Sequence, residues 1–79
     1  MSAVLTPCQR QAIELAAYGY TTRRIALELG VCRQTVSGLL ARARQAAGVR
    51  STTALVALAV TAGSVTIDER RWRESLRRR

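Results

Sequence analysis

Arg33, Gln34 and Ser37, with Ala41 and Arg42 a turn or two later, are the residues of this chain whose types and spacing suggest a specific ligand. A guanidinium can donate two hydrogen bonds to guanine O6 and N7, and a carboxamide can pair with adenine N6 and N7. Each such pair contributes about 1–3 kcal/mol of discrimination. Carried on one helix, they form with Arg44 and Gln45 a polar, cationic face that can lie in a DNA major groove, amino end first. The competing fates of the same side chains are phosphate contact and plain solvation. A second set, Thr21, Thr22, Arg23, Arg24, Thr35, Arg44 and Arg50, lies near helix amino ends and turns. Hydroxyls, backbone N–H groups and guanidiniums grip phosphates there.

Other chemistries are poorly supplied. The sequence has no His, no paired carboxylates on one helix face, no phosphate-cradling glycine loop and no nucleophile beside a base, so an enzyme is the least expected class and no cofactor is implied. Cys8 and Cys32 lack CxxC spacing, which argues against zinc. Both are expected to be reduced and mostly buried, although Cys32 falls near a helix amino end, where the macrodipole lowers a thiol pKa. All thirteen basic residues are Arg and the net charge is +8. Seven Arg and two Glu fall in the first 67 residues, and six Arg and three acids in the last twelve, so the excess is not confined to a tail. A polyanionic partner follows. The apolar stretches are too short to span a membrane, and MSAVLTP has no leader pattern, so the expected location is the cytoplasm.

The elements that would position these residues can be read from caps and periodicity. Thr6, Pro7 and Gln9 make an N-cap, a first-turn proline and a capping box for a helix from about Pro7 to Tyr18, ended by Gly19. Its apolar stripe includes Cys8, Ala12, Ile13 and Leu15. Thr21 caps a second helix, Thr22 to Leu29, and Gly30 fits the left-handed position after it. Ile25, Ala26 and Leu29 face Val36, Leu39 and Leu40 of a third helix, about residues 33–47, with Val31 plugging the corner. Two short helices meeting at a glycine with no long loop are the layout of a helix-turn-helix.

After Gly48, Ser51 or Thr52 caps a fourth helix, about residues 52–62. Its run TALVALAVTA carries no charge and is apolar or small nearly all round. If Val56, Ala59 and Val60 face the core, then Leu55, Leu58 and Ala62 form a second face, which predicts a homodimer interface. The alternative is a tail that folds back, covering that face with Val65, Ile67, Trp72 and Leu76. The sequence thus divides into a DNA-binding domain, residues 1–66, and an Arg-rich tail, residues 67–79, either a short helix with Asp68 as N-cap or disordered.

In order and spacing, LTPCQRQAIELAAYGYTTRRIALELGV, QTV and GVRSTTALVALAV resemble the LuxR-type, or GerE-like, DNA-binding domain, from Leu5 to about Ala62. The resemblance implies an all-α, four-helix domain whose third helix enters the major groove and whose fourth often pairs subunits. It also implies that Thr35 and Val36 help pack the helices. The chain is similar to stand-alone members that lack a receiver or ligand-binding domain. That family often has polar or cationic residues where this chain has Ser37, Gly38 and Ala41, which moves the expected readout toward Arg33, Gln34 and Arg42, with Arg44 a further candidate. A sigma-factor region 4 module is the second resemblance, carried by LTPCQRQAIEL and TVSGLLARARQAA and fitted poorly by GVRSTTALVALAV. Functionally these imply a sequence-specific transcriptional regulator binding duplex DNA as a dimer. The alternative is a small helical protein-interaction module acting on RNA polymerase or another regulator.

Overall fold

The computed structural model describes residues 5–77, so the start of MSAVLTP and the arginines at 78 and 79 lie outside the described residues. It is all α, with five helices and no strand among the described residues: α1 Pro7–Ala17, α2 Thr22–Leu29, α3 Arg33–Ala47, α4 Thr52–Thr61 and α5 Glu69–Arg77. α1 packs against α2, α3 and α4, and α3 also packs against α2 and α4.

The local signals act as expected. The Thr6 hydroxyl accepts from Gln9 N–H while Gln9 Oε1 accepts from Thr6 N–H, which closes the capping box. Thr21 caps α2 and Ser51 caps α4 in the same way. Gly30 and Gly48 end α2 and α3 with φ of 70° and 72°, the left-handed geometry that a β-carbon disfavours. At Gly30 this turns the chain within three residues into α3.

The core gathers Ile13, Leu15, Ile25, Ala26, Val36, Leu40, Ala43, Leu55 and Ala59, all buried. Tyr18, at the α1 C-cap, is the largest fully buried side chain. Several expectations are corrected here. Val31 is 40% exposed and does not plug the corner, whereas Leu29 and Tyr20 are partly buried against the core. Cys8 and Cys32 are both exposed, not buried. α4 is rotated from the expected register: Leu55 and Ala59 face the core, Val56 lies at its edge, and Val60 is 40% exposed. Burying Leu55 in place of Val60 puts the bulkier side chain into the space between α1 and α3, which removes more apolar surface from water.

The tail folds back in part. Val65 is buried, Ile67 packs against the core and Trp72 is half-buried, but Leu76 stays largely exposed. Asp68 N–H donates to the Tyr18 hydroxyl at 2.9 Å, and Asp68 Oδ1 accepts from Arg70 N–H, starting α5 as an N-cap does. Arg71 then lies over the Tyr18 ring, 5.0 Å from its centroid, and within 3.8 Å of the Glu14 carboxylate. The expected boundary between 66 and 67 runs through a segment whose flanking residues, Val65 and Ile67, both touch the core.

Candidate nucleic-acid interface

α2 and α3 are locked together by Ile25, Ala26, Val36 and Leu40, and Val36 is fully buried. With Val36 and Leu40 turned inward, the 3.6-residue period fixes the outward face of α3. Gln34, Gly38, Ala41 and Gln45, at i, i+4, i+7 and i+11, run along the middle of that face. Arg33, Ser37 and Arg44 flank it on one side, and Thr35 and Arg42 on the other. Small residues therefore occupy the centre of the ridge and longer polar ones its ends and edges. Such a profile lets a helix axis approach a groove floor while flanking cations meet the phosphates on either wall.

Arg33, Gln34, Ser37 and Arg42 are all exposed, and neither Arg33 nor Arg42 forms an ion pair among the described residues. Thr22 at the start of α2 lines one open concavity with Cys32, Arg33, Gln34 and Ser37 at the start of α3. Three candidate base-contacting residues and one candidate phosphate-contacting residue thus share a single surface depression. Ala41 is half-buried and can offer a partner only its methyl group.

The remaining phosphate candidates divide. Arg23 and Arg50 are exposed and make no ion pair among the described residues. Thr21 spends its hydroxyl on Arg24 N–H. Arg24 is engaged within the fold, 3.1 Å from Glu28 and 5.5 Å from the Tyr20 ring centroid. Arg44 is half-buried and donates to the Thr52 hydroxyl at 3.0 Å, tying α3 to the start of α4. Its position in the last turn of α3 also suits the carbonyl end of the helix dipole. Thr35 is exposed, with its hydroxyl 3.1 Å from Cys32 Sγ. That hydroxyl, followed by the Thr35 backbone N–H, holds the Cys32 thiol below its ordinary pKa against the opposing effect of desolvation. Among the described residues no group of three or more His, Cys, Asp or Glu could hold a metal.

Of the residues expected on a dimer face, Leu55 is withdrawn into the core, Leu58 is half-buried and Ala62 is exposed. Gln45, expected on the polar face of α3, is exposed and continues the outward line of Gln34, Gly38 and Ala41. The arginines of α5 are outside both candidate sets.

The Sigma-70, region 4 family matches residues 1–46, which take in α1, α2 and all of α3 except its last residue. No curated protein matches the chain. The match reverses the order of the two resemblances. Region 4 is itself a helix-turn-helix DNA-binding module, of the same kind as the LuxR-type domain, and the match stops before GVRSTTALVALAV, the stretch that fits region 4 poorly. No helix among the described residues is long and apolar enough to cross a membrane. Extending over more than half of the 79 residues, the match places the chain in the Sigma-70 region 4 family, with a helix-turn-helix DNA-binding module formed by its first three helices.

Proposed function

We propose that the protein is a sequence-specific transcriptional regulator, working in the cytoplasm, that inserts the amino end of α3 into the major groove of duplex DNA. The observation that supports this best is the shared depression of Thr22, Cys32, Arg33, Gln34 and Ser37, where a candidate phosphate contact lies beside candidate base contacts. In this proposal Arg33 and Gln34 read base edges, Ser37 and the Ala41 methyl fit against the groove floor, and Arg42 reaches base or backbone from the other flank. Arg23, Arg50 and the Thr22 and Thr35 hydroxyls hold phosphates. Arg24 and Arg44 add long-range positive potential while occupied within the fold. Residues 1–66 would be the DNA-binding unit, with the residues from 67 on as its basic extension.

The LuxR-type part of the proposal rests on α4. Leu58 and Ala62 lie on a side of α4 that α5 does not approach, and pairing of two copies there would set two α3 helices about one turn of DNA apart on a site with dyad symmetry. Because Leu55 is in the core, this face is smaller than the sequence alone implies, and pairing would be assisted by DNA. The family match favours a second reading, in which the module acts with RNA polymerase as a region 4 does. The mass of the purified protein, free and with random-sequence duplex DNA across a salt series, tests both. Binding that falls steeply with salt, with two copies per duplex, supports the regulator. One copy per duplex favours the region 4 mode, and indifference to DNA overturns the proposal.

A further inference from the structure

One of the surface concavities of the fold is predominantly apolar. Ala17, Val56, Val60, Ile67, Glu69 and Trp72 line an open groove of about 340 Å³ between the end of α1, α4 and α5. α5 is tied to α1 by the Asp68–Tyr18 hydrogen bond and by Arg71 on Tyr18 and Glu14, and it is not among the helices that pack against α4. It therefore stands off α4 without closing onto it. The apolar stripe continues outward from Trp72 to Leu76, one turn on and 46% exposed, while Val60 on the facing wall is 40% exposed.

We propose that this groove is a docking site for an amphipathic helix of another protein, apolar along one stripe and acidic along its edge. Three observations select that occupant. The α4 wall carries no charge, so the wall itself requires only apolar contact. α5 as a whole is basic, with four Arg against two Glu: Arg71 is turned to Tyr18 and Glu14, Glu69 is taken by Arg73, and Arg77, beside Leu76, makes no ion pair among the described residues. An acidic flank complements that charge. A second copy of this chain brings the same basic helix and a net charge of +8, which opposes self-pairing there. The exposed apolar residues here, Val60, Leu76 and part of Trp72, form a narrow stripe that suits the apolar face of a single helix. The site is separate from α3, so it stands or falls independently of DNA binding.

Trp72 is the only tryptophan in the chain, so its emission reports the groove directly. The probe is a helical peptide of about 16 residues with leucines at i, i+3, i+4 and i+7 flanked by glutamates; the control has lysines in their place. The acidic peptide should shift Trp72 emission to the blue saturably, bind at least about tenfold more tightly than the lysine peptide, and weaken with added salt. Val60→Glu and Leu76→Ser should each abolish the shift. Both side chains are substantially exposed, and circular dichroism verifies that each variant keeps its fold. No shift, or equal binding of the two peptides, overturns the proposal. A blue shift that grows with protein concentration alone, without peptide, overturns it too by putting a second copy in the groove.

Discussion

Gly38 lies in the middle of the exposed ridge of α3, in ordinary helical conformation, and nothing in the protein explains why it is glycine. A β-carbon built there meets no atom within 4 Å beyond its chain neighbours and the surrounding backbone of its own helix. Gly38→Ala therefore costs nothing in packing and removes the conformational freedom that an interior helical glycine must lose on folding. The gain is about 0.5–1 kcal/mol. For a domain of this size 1 kcal/mol corresponds to about 4–8 °C, so Tm should rise by roughly 2–8 °C. On DNA the sign should reverse. Gly38 lies in line with Gln34, Ala41 and Gln45, where the helix comes nearest the groove floor, and a methyl group added to a close contact costs about 1–3 kcal/mol. Duplex affinity should fall by about tenfold, corresponding to about 1.4 kcal/mol. Thermal melts followed by circular dichroism give the first number and fluorescence anisotropy with labelled duplex gives the second. A lowered Tm would refute the account of free space around Gly38. A raised Tm with undiminished DNA binding would refute the placement of this ridge in the groove.

Other substitutions separate the remaining roles. Arg33→Ala and Gln34→Ala should each relax sequence preference by about 1–3 kcal/mol at one base pair, measured on single-substituted duplexes, whereas Arg50→Ala should weaken binding uniformly and reduce the salt slope by about one. Leu55→Ala opens a cavity in the core and should cost about 2–5 kcal/mol, seen in denaturant melts. Leu58→Ala should leave the melt nearly unchanged and lower only the fraction of two-copy complexes in sedimentation with DNA. In a Cys8→Ser background, the alkylation rate of Cys32 should rise through a midpoint below the ordinary thiol pKa, because the Thr35 hydroxyl favours the thiolate. Thr35→Ala should move that midpoint back toward higher pH, and an unmoved midpoint would rule out the hydroxyl as the cause.

The helix ends were legible because each is written in local chemistry. Thr6 with Gln9, Thr21, Ser51, Gly30 and Gly48 are polar caps or left-handed glycines, and they act over three or four residues without reference to the rest of the fold. The facing of α2 and α3 was legible because apolar and charged residues alternate with the helical period. α4 offers no such contrast. In TALVALAVTA every rotation is nearly as apolar as every other, so the choice of Leu55 over Val60 was made by the shape of the space between α1 and α3, which the sequence does not state. Tyr18 was hidden for a related reason: its burial depends on partners at Asp68 and Arg71, far along the chain. In the candidate interface, residue types on α3 could be assigned from period alone. The engagement of Arg24 by Glu28 and of Arg44 by Thr52 depends on competing partners that a type-and-position argument does not rank.

The hydrogen bond from Asp68 N–H to Tyr18 spans 50 positions, and it sets an order of events in folding and opening. Contacts among α1, α2 and α3 close short loops, while docking α5 must first close a long one, so it is the later step to form and the earlier to release. The amide of Asp68 should then exchange its hydrogen through a partial opening, faster than the amides of Val36 or Leu40, which wait for global unfolding. In that open state Tyr18 meets water while α3 keeps its shape. The chain can thus expose its largest buried ring without disturbing the three helices that carry its DNA-binding module.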